Sequence, residues 1–559
     1  MLERVKAGLF GTKSAREVGK SGAETKNPDT AAPADVVSEF PRGLPDGDRN
    51  KPLGTGQWIS SAAAVDLTGK WKPGQFLLGR DASGRYAGIE DNRHILTVAG
   101  SRAGKGTSII VPNLIHWPHS CLAIDPKGEL ATITASRRGH GSKWSKGMNG
   151  EVYVLDPFKR VTGPATDYAA AAFNPLKALD ADTDAGLEQA NQISDALVIQ
   201  SRGDGAFWTQ NARAFLRGLI LFVAKTEGES AHLIRLRELL MQSREAFDKM
   251  LLNMRDLGGV IGHAGMAMSS KPDAEKWSVL STCQLHTDFL EGSAMASVLT
   301  ESTFSLDNMK KKPMTVYLCL PATRLGTHGR WLRMMVTLAL DAMERTGPIE
   351  KGQHPVLFVL DEFAALERME SIERAAGQIA SFGVKLFPVI QDLTQLQRDY
   401  EKAWETFMGN AGVLTFFGNT DLTTVEHISK RLGVAEIVRV GSGVTKGWQS
   451  SNTTSSPHLL AQLMQQGQRS QSAGMTEAGG TSETESVMQA PLMQPDEVAR
   501  FFARDAGNLL VFIASKKVPP IALYRCEYFS AADDVMFGGL FDPAPGQSPP
   551  RTLEQRKAG

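Results

Sequence analysis

The chain has 559 residues, 42% of them apolar and 22% charged, with Lys plus Arg and Asp plus Glu balanced at 61 each. These values exclude a wholly disordered, collagenous or coiled-coil protein, and the length leaves room for several units of about 150 residues. A formal charge of zero leaves nucleic-acid binding open, because local patches decide such contacts. The four cysteines, Cys121, Cys283, Cys319 and Cys526, are far apart and form no CxxC, which argues against disulfides and structural zinc. No run of about 18 apolar residues and no signal-peptide core is present, so a cytoplasmic chain without a membrane span of its own is expected.

Residues 1–74 read as a flexible arm and lead-in, polar and mixed in charge at the start. From 75 to 179 and again from 279 to 440, short apolar runs alternate with helical periods. The strand candidates are HILTVAG (94–100), SCLAID (120–125), EVYVLDPF (151–158), TVYLCLP (315–321), PVLFVLDEF (355–363), KLFPVIQ (385–391) and GVLTFFG (412–418). They are apolar throughout rather than alternating, as strands of a parallel sheet buried on both faces are. The pattern predicts an α/β domain with a doubly wound, mostly parallel sheet. Residues 180–278 break it with helical periods and almost no strand signal, and predict an all-α insertion whose aromatic stripe (Phe207, Phe215, Leu219, Phe222) is core. In 441–490, Ser, Thr, Gly and Gln fill 29 of 50 positions, too few apolar groups for a core, so a flexible low-complexity loop is expected. Residues 491–530 return to the α/β domain with a helix and two strands (NLLVFIAS, PPIALYRCEYF), and 531–559 read as a tail.

The strand at 94–100 runs into Gly100, Ser101, Arg102, Ala103, Gly104, Lys105, Gly106 and Thr107, and a helix follows. Strand, glycine-rich loop and helix start form a phosphate cradle: backbone N–H groups converge on an anion and the helix dipole attracts it. The match to GxxxxGK[ST] is imperfect, with Ala99 at the first glycine and Gly106 where a Mg2+-binding hydroxyl normally stands; Thr107 comes one residue later. The strand PVLFVLDEF ends in Asp361 and Glu362, an acidic pair of the kind that holds Mg2+ and polarises the attacking water in ATPases. KLFPVIQ ends in Gln391, placed to orient water or sense the γ-phosphate. Together these predict ATP hydrolysis with Mg2+, the metal on Thr107 and Asp361.

Further blocks carry a resemblance. GSRAGKGTSIIVPNLIHWP, AIDPKGEL, VLDPF, FNPLKALD, FWTQNARAFLRGLILF, VLDEFAALERME and FFGNTDLTTVEHISKRLG occur in order over roughly residues 75–530. The chain resembles the type IV secretion coupling proteins of the TraG/VirD conjugation family. The resemblance implies a RecA-like P-loop NTPase with an all-α insertion, working as a homo-hexamer. It implies partners: single-stranded or duplex DNA, a relaxase or relaxosome or effector proteins, and type IV secretion channel components. Lys105, Asp361, Glu362 and Gln391 match the family's phosphate lysine, acidic pair and strand-end glutamine. Asp125, Lys127 and Glu129 match a DxKGE block that either supports the nucleotide site or caps a helix. A neighbour's arginine often completes such sites, and the sequence assigns that role to neither Arg368 nor Arg374. Most members begin with two membrane helices, so a soluble variant is expected, docking peripherally at the inner face of the inner membrane through a partner.

Two basic clusters are candidates for DNA contact. One is SRRGHGSKWSKG, with Arg137, Arg138, Lys143, Trp144 and Lys146; the other is MKKKP (309–313). Two other readings stay open: a DNA translocase of the FtsK/HerA kind unconnected with secretion, and a substrate-docking receptor with little motor activity.

Overall fold

The computed structural model describes residues 61–201, 203, 205–448, 477–514 and 518–558. Of the arm and lead-in expected over 1–74, residues 1–60 lie outside the described residues, as do 449–476 of the low-complexity stretch; Ser61–Thr68 form a helix.

The apolar runs become buried strands. In chain order these are β1 (Phe76–Arg80), β2 (Tyr86–Ile89), β3 (His94–Ala99), β4 (Cys121–Asp125), β5 (Glu151–Leu155), β6 (Met314–Cys319), β7 (Val356–Leu360), β8 (Val384–Ile390), β9 (Ala411–Phe417), β10 (Val434–Trp448), β11 (Glu477–Pro491), β12 (Asn508–Ile513) and β13 (Ile521–Tyr524). Eleven form one sheet in the order β2-β1-β13-β12-β9-β3-β8-β7-β4-β6-β5. Seven strands from β9 to β5 are parallel. The four beyond β9 pair antiparallel. Every residue of β3, β4, β6, β7, β8 and β9 is buried, as helices on both faces require. The edge strand β2 and its neighbour β1 escaped the sequence reading because both are short and each contains a glycine that breaks the apolar run.

Between β5 and β6 the chain is helical from Asp184 to Leu299, some twenty residues further than the pattern suggested. Its aromatic stripe is mostly core: Phe215, Leu219 and Phe222 are buried, whereas Phe207 is half exposed.

Three expectations are corrected. First, within 441–490 the backbone is not all loop: β10 pairs antiparallel with β11 in unbroken register from Val434↔Pro491 to Trp448↔Glu477. Ladder hydrogen bonds need no apolar side chains, so composition concealed this ribbon. Second, residues 531–558 are not a free tail. Phe537 and Phe541 are buried in the core, the Asp542 N–H donates to the Ile133 carbonyl at 2.9 Å, and Arg556 pairs with Asp534 at 2.8 Å.

Third, Arg138 cannot grip DNA. It is 3% exposed, and its guanidinium donates to the carbonyls of Leu114, Trp117 and His119 and, at 2.9 Å, to Thr315 Oγ1. It is the last residue of the helix Glu129–Arg138, whose turn faces the sheet. Arg137 is likewise spent on backbone, donating to the carbonyls of Ile115 at 3.0 Å and Lys146 at 2.8 Å. Lys143 and Lys146 remain exposed, with Lys143 Nζ 4.2 Å from the half-buried Trp144 ring. In the second cluster Lys310 is also buried, its ammonium bonded to the Met343 and Gly347 carbonyls. Arg138→Ala leaves those carbonyls unpaired inside the protein. It should cost roughly 2–5 kcal/mol in a urea titration, while leaving DNA affinity of the folded fraction unchanged.

Candidate nucleotide site

The sheet order places β3, β8 and β7 side by side. Their C-terminal ends carry the glycine-rich loop, Gln391 and the Asp361–Glu362 pair, so residues nearly 300 positions apart meet at one edge. Lys105 Nζ lies 2.6 Å from Glu362 Oε1 and 3.2 Å from Asp361 Oδ1. Gln391 Nε2 donates to Glu362 Oε2 at 3.0 Å. All four side chains named from the sequence therefore form one hydrogen-bonded cluster.

The electrostatics follow from that geometry. Burial opposes the Lys105 charge, but Asp361 and Glu362 outweigh it and hold its pKa above the ordinary lysine value. Burial also disfavours ionised Glu362, yet Lys105 and the Gln391 hydrogen bond prevail, and its pKa is lowered. For Asp361 the burial is deeper and wins, raising its pKa with help from the adjacent Glu362 charge. The two neighbouring carboxyls are thus pushed in opposite directions, Glu362 toward its ionised form and Asp361 away from it.

The loop is built by close backbone approach. The Gly100 N–H donates to the Phe417 carbonyl at 3.2 Å, and a Cβ on Gly100 would stand 1.9 Å from the Gly418 oxygen. Gly418 has φ +65° and faces Ala103. Gly104 has φ +91°, and its carbonyl accepts from Ser108 Oγ at 2.7 Å and Thr107 Oγ1 at 3.1 Å. Among the described residues, the N–H groups of Ser101, Arg102 and Gly104 have no protein acceptor. That leaves donors for an anion, so the loop fits a phosphate. A side chain at Gly106 would meet open space, so no steric demand selects glycine there. Gly100→Ala should weaken nucleotide binding about tenfold or more in a fluorescent-ATP titration, because either the loop or the β9 terminus must move.

Asp125, at the end of β4, is 1% exposed and accepts the Ala131 N–H at 2.9 Å, steadying the start of the following helix. Lys127 and Glu129 are exposed and 3.8 Å apart. Burial raises the Asp125 pKa to about 7, well above its unfolded value near 3.8. The folded state then binds the extra proton between those values, so this group's contribution to stability falls as pH rises from about 4 to 7. Asp125→Asn should flatten that slope, of at most about 1.4 kcal/mol per pH unit, in unfolding curves taken across the range.

Sequence reasoning missed three residues that shape the site. Arg525, just past β13, donates to the carbonyls of Ala103 and Arg504, with its guanidinium 5.3 Å from the centre of the Phe417 ring. Asn419, just past β9, donates to the Gln391 carbonyl at 3.1 Å. Arg333 is buried and donates to the carbonyls of Leu366 and Arg368, a few residues past the acidic pair. An arginine bonded to backbone carbonyls leaves no partner pattern in a sequence. Asn419 and Arg525 stood inside stretches the sequence singles out, FFGNTDL and PPIALYRCEYF, but nothing in either stretch marks their contacts.

The chain matches the family described as type IV secretory system conjugative DNA transfer over residues 63–543, and it belongs to that family. It is 26% identical to a conjugal transfer protein TraG of Escherichia coli over 469 residues, 78% of this chain and 68% of that protein. It is 26% identical to protein VirD4 of Agrobacterium fabrum over 498 residues, 83% of this chain and 63% of that one. The plasmid coupling protein TrwB, solved with the ATP analogue ADPNP, superposes with a TM-score of 0.57 at 13% identity, covering 86% of this chain and 97% of that one. The fold is therefore that of the coupling proteins, a RecA-like P-loop NTPase, as the sequence resemblance implied. Among the described residues, no helix is long and apolar enough to cross a membrane.

Proposed function

We propose that this protein is an ATP-hydrolysing coupling protein that brings DNA, as a relaxase–DNA complex, or protein substrates to a type IV secretion channel. The observation that carries the reading is the Lys105–Asp361–Glu362–Gln391 cluster on three adjacent strand ends, in a chain of the conjugative DNA transfer family. TrwB, with the same fold, has been solved with ADPNP and with ADP and Mg2+.

In this reading the open N–H groups of Ser101, Arg102 and Gly104, within the loop 100–107, bind the phosphates. Lys105 supplies positive charge where negative charge develops on the transferred phosphoryl oxygens. Glu362, held ionised, accepts a proton from the attacking water, and Gln391 fixes which carboxylate oxygen faces it. Asp361 and Thr107 are the residues that would hold Mg2+, which neutralises phosphate oxygens when bound. Lys143, Lys146 and Trp144 are the part of the first basic cluster left to meet a nucleic-acid backbone. The working unit is a homo-hexamer at the inner face of the inner membrane, reached through a partner.

Measuring ATP hydrolysis by the purified full chain, with and without single-stranded DNA, tests this reading. Stimulation by DNA is expected. Hydrolysis indifferent to DNA favours a substrate-docking receptor instead.

A further inference from the structure

The segment that follows the acidic pair is strained at both ends. Glu362 has φ +52° and ψ +46°, and Glu367 has φ +53° and ψ −163°. Both are non-glycine residues in the left-handed half of conformational space, where a Cβ crowds the backbone. Strain of this kind persists only where the surroundings over-determine the chain.

The surroundings are specific. Phe363 and Leu366 are buried, and the Phe363 ring stacks on Tyr400 with centroids 5.9 Å apart and planes 6° from parallel. The turn closes through Ala365 N–H to the Glu362 carbonyl at 2.8 Å and Glu367 N–H to the Ala364 carbonyl at 3.1 Å. The exit is gripped by Arg333, from the helix Leu325–Arg345. Its guanidinium donates to the Leu366 carbonyl and, at 2.9 Å, to the Arg368 carbonyl, and its Nε faces the Ala196 carbonyl at 3.4 Å. Ala196 belongs to the helix Asp184–Leu197, the first of the helical insertion. Arg333 is 7% exposed and makes all these bonds to carbonyls, so its planar fork brackets two parts of the fold. Beside the bracket lies a cleft of about 1060 Å³, lined by Ala196, Arg333, Ala364, Glu367 and Arg368 among others.

Residues 362–367 are therefore strung between two fixed points: the Glu362 carboxylate, held by Lys105 and Gln391, and the carbonyls held by Arg333. We infer that Arg333 is a positioning residue for Glu362, holding the strained segment so that the carboxylate keeps its place and linking that place to the packing of the helical insertion. This rests on the ATPase reading above. If the bracket loosens, or if Glu367 relaxes, Glu362 can return to an ordinary backbone conformation and its carboxylate leaves the attacking water.

The test is steady-state ATP hydrolysis by the full chain carrying Arg333→Lys or Glu367→Gly. Lysine keeps the charge and can meet the Leu366 and Arg368 carbonyls, which share one guanidinium nitrogen, but it has no second nitrogen to reach the Ala196 carbonyl on the insertion at the same time. It should lower kcat about tenfold with KM within about twofold, and should cause no further loss when combined with Glu362→Gln. Glycine accepts φ +53° freely, so Glu367→Gly should not lower the melting temperature yet should lower kcat about fivefold. Should Arg333→Lys fail to fold, Glu367→Gly decides alone. A kcat within about twofold of wild type in Glu367→Gly, or a loss carried by KM, overturns the inference. If the wild-type chain itself shows no turnover, the ATPase reading has failed, and the inference falls with it.

Discussion

Lys105→Ala should abolish ATP turnover by the purified chain, lowering kcat/KM by at least about 100-fold. The side chain is 14% exposed and sits between two carboxylates, at 2.6 Å from Glu362 and 3.2 Å from Asp361. Its removal acts twice. The phosphates lose the cation that the loop presents to them. The acidic pair also loses the charge that outweighs its desolvation, so Glu362 drifts upward in pKa and away from the ionised form that accepts a proton. Binding and chemistry should therefore fail together, and an ADPNP titration beside the rate assay should show both losses.

Glu362→Gln should separate the two. Glutamine has nearly the same shape, and its side-chain oxygen can still accept the Gln391 Nε2 hydrogen bond. What disappears is the proton acceptor. The expected result is a fall in kcat of about 10²–10³ with KM little changed, since loss of a positioned base removes an interaction made in the transition state. Equal losses in kcat and in ADPNP affinity would instead make Glu362 a structural partner of Lys105, with the base elsewhere.

The sequence showed the core of this site plainly for a physical reason. Strands of a parallel sheet are buried on both faces, so β3, β7 and β8 read as unbroken apolar runs, and the polar groups where those runs stop are the ones the sheet brings together. Lys105, Asp361, Glu362 and Gln391 stand at such stops. The layers around them were less legible. Arg138 sits in a row of basic residues, and only the phase of its helix turns it inward. Arg333 and Arg525 bond to carbonyls, which every residue carries, so no complementary residue type marks their partners. Most of the β10–β11 ribbon lies in a stretch rich in Gly, Ser, Thr and Gln, which composition equates with loop. Phe537 and Phe541 lie among glycines and prolines, in a stretch with no periodicity to flag their burial.

Glu362 is drawn below its ordinary pKa by Lys105, and Asp361 is raised above its own by burial, so the two adjacent carboxyls differ in how readily they ionise. A purely structural ion pair at a strand end would have no use for the strained backbone at Glu362 or for the open N–H groups of the loop.

The most direct test of the account is transfer itself. Donor cells whose only copy of this protein carries Lys105→Ala or Glu362→Gln, at wild-type protein level, should lose transfer of the mobile element to recipients. Transfer near the wild-type frequency in both variants would contradict it, because the cluster on the three strand ends would then not be what drives the export of DNA.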